Sequence, residues 1–398
     1  MAAHFGKPTW LAWAAAGALL LVGCGAPAAA PSATGVPASS APAQGSPKAK
    51  PAGSVATSGA AVPSAKSTAE SAAPSPSVAG KPGLRKVRFG EVGVGLSLNV
   101  AVDQGFFSEQ GIELERQRFD SAANMVAPLG AGQLDVGTGA IGAGLWNAVA
   151  RGVSVKVVGD LGHTDASPPG FPQQELMVRK ALYDSGKVKT PADLKGLTLG
   201  TGIKGTSTDY AVNKMLEKAG LKIADVEQVP MAPLELGVAM TNGKIDAAAF
   251  IQPGATRMLT EGVAVHLMYD FEAVPNNQAL AVLYGSQFAD SDLAVPFMTA
   301  FIKGARVYYD AVAKKDTAAR NKIFDAAVKY GPEKDRTVYE KYTWFFAIDP
   351  NGKVNPQSLQ DQQEFFLQTG QQTSRVDLSK IVDPRYAEQA AAKLGPHQ

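Results

Sequence analysis

The chain contains very little cysteine and histidine. Cys24 is the only cysteine among 398 residues, and the four histidines are scattered at positions 4, 163, 266 and 397. A single cysteine forms neither an intrachain disulfide nor a cysteine-based metal site. The sequence also lacks a Gly-x-Ser-x-Gly elbow and a His-Glu-x-x-His motif, so nucleophilic and zinc hydrolases have little support. We therefore predict a protein without metal or cofactor that is not an enzyme.

The chain also lacks a strong charge and, beyond its N-terminus, a long apolar run. Its formal net charge is +2 and no basic stripe occurs, which argues against nucleic acid as a partner. The one apolar run extends from about Trp10 to Val22. That run is shorter than the roughly 20 residues that cross a bilayer, but its length is typical of the core of a signal peptide.

Cys24 stands directly after this run, in the order Leu21-Val22-Gly23-Cys24, and Lys7 supplies the charged flank. This arrangement is typical of a bacterial lipoprotein signal. It predicts cleavage before Cys24, acylation of that cysteine and anchoring on the extracytoplasmic face of the cell membrane, in the periplasm or at the cell surface. The alternative is an ordinary secretory signal that contains a cysteine by chance.

Composition divides the rest of the chain. Residues 25–83 are almost entirely Ala, Pro, Ser, Gly, Thr and Val. Such a segment buries too little apolar surface to offset its ordering entropy, so it predicts a disordered tether. We expect a signal peptide over 1–23, the tether over 24–83, a first lobe over 84–180, a second lobe over 181–278, and a return to the first lobe with C-terminal helices over 279–398.

Strand and helix patterns alternate through the body and predict an α/β fold with largely parallel sheets. We expect one helix over 96–107 and another that begins after a cap at Ser121. Gly132–Val136 resembles Gly243–Ala247, and each segment follows an amphipathic helix and leads into a strand of small residues. This recurrence predicts two similar lobes. From Val295 onward the apolar spacing is helical, and we expect these helices to pack on the first lobe.

The body resembles the solute-binding proteins of bacterial ABC importers, in the branch that serves nitrate, alkylsulfonates, taurine and pyrimidine precursors of thiamine. The motifs that carry the resemblance are Ala101–Phe107, Gly111–Leu114, Gly130–Val136, Lys189–Gly196 and Gly202–Ser207. The resemblance implies a periplasmic-binding-protein fold of type II, in which two α/β lobes close on a ligand in the cleft between them. It does not fix the ligand.

Several loops and helix starts follow the predicted strands, where ligands of open α/β sheets bind. Glycines there let a ligand approach the backbone, and hydroxyls beside free N–H groups favour a polar or anionic head group. The candidate ligand contacts are Ser97, Asn124, Thr138, Gly139, His163, Thr206, Ser207, Thr208 and Gln252. Each has a plainer interpretation as a cap, turn or loop residue, and we expect His163 to lie in a loop.

A competing motif points to a different class of protein. Gly137–Gly142 matches the dinucleotide fingerprint, and Asp160 follows about 20 residues later, as in enzymes that bind NAD. The preceding strand is short and carries Asp135, and two other strands come first in the body. Export also argues against a nicotinamide cofactor, so an oxidoreductase is the weaker hypothesis.

The sequence thus predicts a monomeric, lipid-anchored receptor that captures a small polar or anionic organic solute and delivers it to a permease and its ATPase. We expect hinge closure about two connections, near Arg179–Ala181 and Ala273–Ala281. The solute is expected among sulfonates, nitrate-like ions and pyrimidine precursors. A receptor of the same fold that senses its ligand without transport stays an open alternative.

Overall fold

The computed structural model describes residues 83–92, 95–119, 121–331, 333–343 and 345–397. The predicted signal peptide, Cys24 and the tether lie outside these ranges. Among the described residues, no helix has both the length and the apolar character needed to cross a membrane. The same residues include no group of three or more His, Cys, Asp or Glu side chains arranged to hold a metal ion.

Within the described ranges, ten strands form two sheets. Their bounds are β1 Arg85–Glu91, β2 Ile112–Arg118, β3 Val136–Ala140, β4 Val155–His163, β5 Glu175–Arg179, β6 Thr198–Gly200, β7 Glu227–Val229, β8 Ala247–Phe250, β9 Ala264–Tyr269 and β10 Gln278–Gly285. The helices are α1 Leu96–Asp103, α2 Phe106–Glu109, α3 Ala123–Gly130, α4 Ala143–Ala150, α5 Lys180–Asp184, α6 Ser207–Lys218, α7 Pro233–Thr241, α8 Gly254–Thr260, α9 Ser286–Ala289, α10 Ala294–Val312, α11 Thr317–Tyr330, α12 Arg336–Glu340, α13 Pro356–Gln368 and α14 Arg385–Leu394.

The two sheets have equivalent topologies. The first has the order β2-β1-β3-β10-β4 and the second the order β7-β6-β8-β5-β9. In each sheet, the first three strands in this order are parallel to one another. The fourth strand, β10 in the first sheet and β5 in the second, is antiparallel to both of its neighbours. The expectation of an α/β fold with two similar lobes is confirmed. The sheets are mixed rather than largely parallel, because each crossing strand enters its sheet from the other lobe and therefore runs in the opposite direction.

The chain passes between the sheets twice, through residues 164–174 and 270–277. Since β5 pairs with β8 and β9, the first crossing precedes it. The expected hinge near Arg179–Ala181 is therefore wrong, as is the assignment of β5 to the first lobe. The strand pattern of Glu175–Arg179 was readable in the sequence, but a strand pattern does not say which sheet the strand joins. The second expected connection, Ala273–Ala281, overlaps the second crossing.

The two short repeats have the same structural role. Asp135 immediately precedes β3 and accepts a hydrogen bond from the backbone N–H of Arg88 in β1 at 2.8 Å. Asp246 immediately precedes β8 and accepts one from the backbone N–H of Thr198 in β6 at 3.1 Å. Each carboxylate also binds an arginine, Arg88 in the first lobe and Arg179 in the second. The repeated Gly-x-apolar-Asp pattern thus marks the same joint in both lobes.

The C-terminal helices pack on the first lobe, as predicted. The buried face of α10 shares one apolar core with β1, α1, α11 and α14. Gly304 allows the close approach of α10 to α1, since a Cβ there would lie 2.4 Å from the carbonyl oxygen of Ser97. The predicted helix 96–107 divides in two because Gly105 adopts a left-handed conformation, and Ser121 is not a cap because α3 begins after Ala122.

Candidate functional site

The carboxyl edge of the first sheet holds a small cavity of about 30 Å³. This volume accommodates about two water molecules. Strand ends, the start of α1 and one aromatic side chain surround it, and the lining residues are Glu91, Val92, Gly95, Ser97, Leu98, Thr138, Gly139, Leu161, Leu280 and Phe346. The cavity therefore lies where ligands of open α/β sheets bind.

Three of the predicted contacts meet at this cavity. Ser97 lies in the first turn of α1 and is buried, because α10 covers this helix. Thr138 and Gly139 lie in β3, and the Thr138 hydroxyl donates a long 3.4 Å hydrogen bond to the carbonyl of Gly90 in the adjacent strand. The two hydroxyls can donate to or accept from a ligand. The sequence thus identified this polar corner from residues 41 positions apart along the chain.

Glu91 is the lining residue that sequence reasoning missed. It ends β1, and only 3% of its surface is exposed. Its Oε2 accepts a 2.6 Å hydrogen bond from Nη2 of Arg116, whereas its Oε1 lies 3.9 Å from Nε of Arg118 and accepts no hydrogen bond. An acidic residue at the end of the first strand was the available signal. Its arginine partners come from β2 and could not be assigned from local pattern.

Phe346 closes one side of the cavity in a fixed position. Its ring stacks on Tyr308 with centroids 5.4 Å apart, and the Tyr308 hydroxyl donates a 3.0 Å hydrogen bond to the Phe346 carbonyl. Burial raises the pKa of Tyr308 well above its usual value, so this hydroxyl remains a donor. Gly162 provides the space, since a Cβ there would lie 2.8 Å from the Phe346 ring. Trp344, nearby in sequence, is outside the described residues.

His163 ends strand β4 and does not lie in a loop, which corrects the sequence-based expectation. The strand extends further than expected because it pairs with β10 as far as His163. Its Nδ1 lies 2.7 Å from Oδ2 of the fully buried Asp160. Burial lowers the pKa of His163, but the adjacent Asp160 outweighs it and the pKa is raised overall. His163 is not among the cavity-lining residues, but its backbone pairs with Ala347, next to Phe346.

The start of α6 lies against the first lobe. Thr206 caps this helix: its Oγ1 accepts from the Asp209 N–H at 3.3 Å and donates to the carbonyl of Ile203 at 2.8 Å. The Ser207 hydroxyl donates to the carbonyl of Ala279 at 3.2 Å, and Oγ1 of Thr208 lies 3.1 Å from that of Thr206. All three hydroxyls therefore have protein partners in this arrangement.

Two loops of opposite lobes meet beside α6. The N–H of Ala143 donates to the carbonyl of Gly205 at 2.8 Å, and the N–H of Ser207 donates to the carbonyl of Ile141 at 3.0 Å. Gly142 makes this approach possible, because a Cβ there would lie only 2.3 Å from the Gly205 oxygen. We call this contact the lobe bridge. It holds one side of the cleft closed.

The remaining two predicted contacts lie away from the cavity. Asn124 is exposed near the start of α3. Gln252 follows β8 in the second lobe, and its Nε2 donates a 3.3 Å hydrogen bond to Oγ1 of Thr343 in the C-terminal part of the chain. Thr343 also donates its backbone N–H to Oγ1 of Thr256 at 3.2 Å. Gln252 thus contacts the segment that precedes Phe346, but neither it nor Asn124 lines the cavity.

The dinucleotide fingerprint has the wrong geometry. Gly137 and Gly139 lie inside β3, whereas a phosphate-binding turn would place them between a strand and a helix. Asp160, the expected ribose partner, is fully buried and accepts hydrogen bonds from Gln278 Nε2 and from the backbone N–H groups of Gly162 and Asp349. The described residues therefore give no support to dinucleotide binding at this motif.

The two crossing segments are joined by buried polar side chains. Thr164 donates its hydroxyl to the carbonyl of Val274 at 2.6 Å and accepts from the N–H of Asn277 at 2.8 Å. Asp270 accepts from the backbone N–H groups of Gln173 and Gln174 at 3.1 and 3.2 Å. Burial raises the pKa of Asp270 to about 8, although these N–H groups oppose the shift. The two crossings are therefore tied to each other by hydrogen bonds.

A second, larger cavity of about 890 Å³ lies between β4, the 351–356 loop and α14. Its walls are mostly apolar, and Lys353 and Glu388 are the charged residues among those that line it. No residue of the second sheet contributes to its lining. It therefore lies outside the cleft between the lobes.

Comparison with known proteins identifies a family that has this architecture. Residues 96–311 match the family described as NMT1/THI5 like, which is more than half of the chain. The chain belongs to the NMT1/THI5 like family. The matched range begins at α1 and ends within α10, so it contains both crossings and most of both sheets.

Two curated relatives match this chain over part of their length. A protein from Brucella abortus, described as an inferred binding protein, is 29% identical over 154 residues, which are 39% of this chain and 43% of the relative. A protein from Escherichia coli, described as an inferred aliphatic sulfonates-binding protein, is 30% identical over 103 residues, or 26% and 31% of the two chains. The chain thus spans less than half the length of these relatives.

Solved structures share the fold over most of the chain. The aliphatic sulphonate-binding protein SsuA of Escherichia coli is 21% identical, with a TM-score of 0.59 over 74% of this chain and 96% of its own. The nitrate-binding protein NrtA of Synechocystis is 13% identical, with a TM-score of 0.61 over 78% and 89%. The desulfurization enzyme DSZB is 15% identical, with a TM-score of 0.55 over 78% and 99%. The fold is therefore that of type II periplasmic binding proteins, and an enzyme shares it.

Proposed function

We propose that this protein is the solute-binding component of an ABC importer and acts outside the cytoplasm without altering its ligand. The observation that carries the proposal is the pair of equivalent sheets, joined by two hydrogen-bonded crossings and meeting at the lobe bridge beyond the carboxyl ends of β3 and β6. Family membership and the likeness to sulfonate- and nitrate-binding proteins support it. We infer a small polar organic solute, in the sulfonate, nitrate-like or pyrimidine-precursor range.

The proposed mechanism is closure about the hinge formed by the crossings. A ligand that contacts both lobes stabilises the closed form only by the difference between its affinities for the closed and open forms. Contacts such as the lobe bridge and Gln252–Thr343 would break on opening and form again on closing. A permease with its ATPase would then recognise the closed form.

For ligand contacts we place most weight on Ser97, Thr138 and Gly139, which surround the cavity. The hydroxyls of Thr206, Ser207 and Thr208 would contact ligand only by exchanging their protein partners when the lobes separate. Gln252, His163 and Asn124 lie farther from the cavity lining and are the weaker candidates.

The test is a ligand screen with two readouts. Thermal shifts are recorded with sulfonates, nitrate and aminopyrimidines, because stabilisation grows with the ratio of ligand concentration to dissociation constant. Each stabilising compound is then examined by small-angle scattering, where we expect a smaller radius of gyration. A stabilising compound that leaves the radius unchanged contradicts hinge closure, and chemical conversion of that compound would favour an enzyme, as in DSZB.

We also propose that Cys24 carries the lipid anchor. Its place after Leu21-Val22-Gly23 supports acylation. Replacing Cys24 by Ser should release the mature protein from the membrane fraction, because stable anchoring depends on the acyl chains. Gly23→Ala, which keeps a small residue before the cysteine, is the matched control. Unchanged membrane association of C24S would overturn the anchor but leave the binding role intact.

A sensing receptor of the same fold stays the alternative. Deleting the gene for a cognate permease separates the two roles. Loss of solute uptake supports transport, whereas an intact uptake with an altered transcriptional response supports sensing.

A further inference from the structure

The small cavity at the carboxyl edge of the first sheet has one ionisable lining residue, the acidic Glu91. Among the residues that line the cavity, Glu91 is charged, Ser97 and Thr138 are hydroxyl-bearing, and the others are apolar or glycine. The undescribed neighbours in sequence, Gly93 and Val94, have no basic side chain to offer. Glu91 is therefore the one ionisable residue among those that line this cavity.

The two oxygens of Glu91 differ. Oε2 is held by Arg116, which also donates to Oδ1 of Asn99 at 2.7 Å, so this half of the carboxylate is fixed from the side of β2. Oε1 is buried and has no hydrogen-bond partner, and the 3.9 Å distance to Arg118 Nε is too long for one. Neither arginine lines the cavity. A buried carboxylate oxygen without a donor is costly, so a donor is expected to complete it.

An ionised carboxylate only accepts hydrogen bonds, and so does an oxyanion such as a sulfonate or nitrate. Two acceptors that face each other in a buried site repel. A nitrogen head group that carries N–H bonds and positive charge has the complementary chemistry, and charge-assisted hydrogen bonds of this kind are the strong ones. Phe346 offers a fixed aromatic face beside it for an apolar or planar part of the ligand.

We propose that the solute has a cationic nitrogen head group, of amine or amidine type, which donates an N–H to Oε1 of Glu91. This inference rests on the proposed binding function and departs from the sulfonate and nitrate part of the solute range inferred there. Ser97 and Thr138 then act as adaptable partners for the remaining N–H groups.

The test uses isosteric probes of opposite hydrogen-bonding character. Benzamidinium and benzoate have the same planar shape, but one only donates and the other only accepts. By calorimetry we expect wild-type protein to bind benzamidinium at least about tenfold more tightly than benzoate or benzenesulfonate. Glu91→Gln should weaken the binding of benzamidinium by about tenfold or more, because a neutral amide does not form a charge-assisted hydrogen bond with it.

The matched control is Asp135→Asn, which removes a carboxylate paired with Arg88 at the opposite end of the same sheet. It should leave the affinity for benzamidinium unchanged. If Glu91→Gln fails to fold because Arg116 loses its partner, the double variant Glu91→Gln/Arg116→Gln removes both charges together. It should show the same loss of benzamidinium binding.

The outcomes separate the two proposals. Tighter binding of benzoate or benzenesulfonate than of benzamidinium, with compaction in solution, overturns the cationic head group and keeps the binding function. Equal affinity of E91Q and wild type for benzamidinium also overturns the role of Glu91. If neither this panel nor the sulfonate, nitrate and aminopyrimidine screen gives any binding, both proposals fall.

Discussion

Buried polar side chains carry the chemistry of this protein at the scale of single residues. Glu91, Asp160 and Asp270 are each almost fully buried, yet they have different surroundings. Asp160 accepts hydrogen bonds from β4, β10 and the loop at Asp349, whereas one oxygen of Glu91 has no donor. A carboxylate whose oxygens are all engaged is structural, and one with a free oxygen at a cavity is available for ligand.

Asp270 gives a pH dependence that belongs to this scale. Burial raises its folded-state pKa to about 8, above the unfolded value, so its stabilising contribution is complete at low pH and is lost as the pH rises through about 8. We expect the melting temperature to fall between about pH 5 and about pH 9, and to fall less steeply in Asp270→Asn.

His163 also has a raised pKa and changes stability in the same direction, so the comparison of D270N with wild type isolates Asp270. The exposed Asp184→Asn, whose residue pairs with Lys180 at the surface, should have the wild-type slope. Equal slopes for D270N and wild type would contradict the assignment.

At the scale of elements, the helix-to-strand joint recurs in both lobes. Asp135 and Asp246 each fix a central strand to its parallel neighbour by accepting a backbone N–H. Burial raises the pKa of Asp246, but its hydrogen bonds from Arg179 and Thr198 lower it overall. Its contribution is therefore present at neutral pH and is lost as the pH falls below the unfolded value of a carboxyl group.

Replacing either aspartate by alanine should cost about 1–3 kcal/mol of unfolding free energy, because a backbone N–H and an arginine lose their partner. Urea denaturation at neutral pH measures the cost. Asp184→Ala, which removes a surface ion pair, should change stability by less than about 0.5 kcal/mol. If D135A and D246A differ greatly from each other, the two joints are not equivalent.

The sequence predicted local elements better than their partners. The strand at Glu175–Arg179 has a local signal, because Leu176, Met177 and Val178 form a short apolar run. Its sheet was assigned wrongly, since pairing with β8 and β9 depends on residues about 70 and more positions away. The same limit hid Glu91, whose arginine partners are in β2, whereas Ser97 and Thr138 were found because strand ends and helix starts are recognisable locally.

At the scale of the whole molecule, the two lobes touch at two separate places. The lobe bridge joins Ile141–Ala143 to Gly205–Ser207, and Thr343 joins Gln252 and Thr256 to the C-terminal segment. Under the proposed hinge closure, opening would break these contacts, and their strength would set the balance between open and closed forms.

Gly142→Ala tests that balance. The new Cβ would lie 2.3 Å from the Gly205 oxygen, so the bridge must separate. The backbone of Gly142 is extended and accepts any residue, and the effect comes from contact alone. We expect a larger radius of gyration by small-angle scattering than for wild type in protein saturated with a stabilising solute, and weaker binding of any solute that requires closure.

Gly254→Ala is the control, because the nearest atom to its Cβ would be 3.4 Å away on Phe250, an ordinary contact. It should have the wild-type radius. A G142A variant that is folded by circular dichroism but equally compact would show that the bridge does not hold the lobes together.

The helix α6 belongs to the second lobe by sequence, yet Tyr210 and Ala211 lie in the same apolar core as Trp146, Phe365 and Phe366 of the first. Tyr210 meets Phe365 edge-on with centroids 5.3 Å apart. Cutting the chain between the two lobes would therefore expose buried aromatic surface on both fragments. We expect neither fragment to fold stably alone. We therefore expect the two lobes to unfold together in one transition.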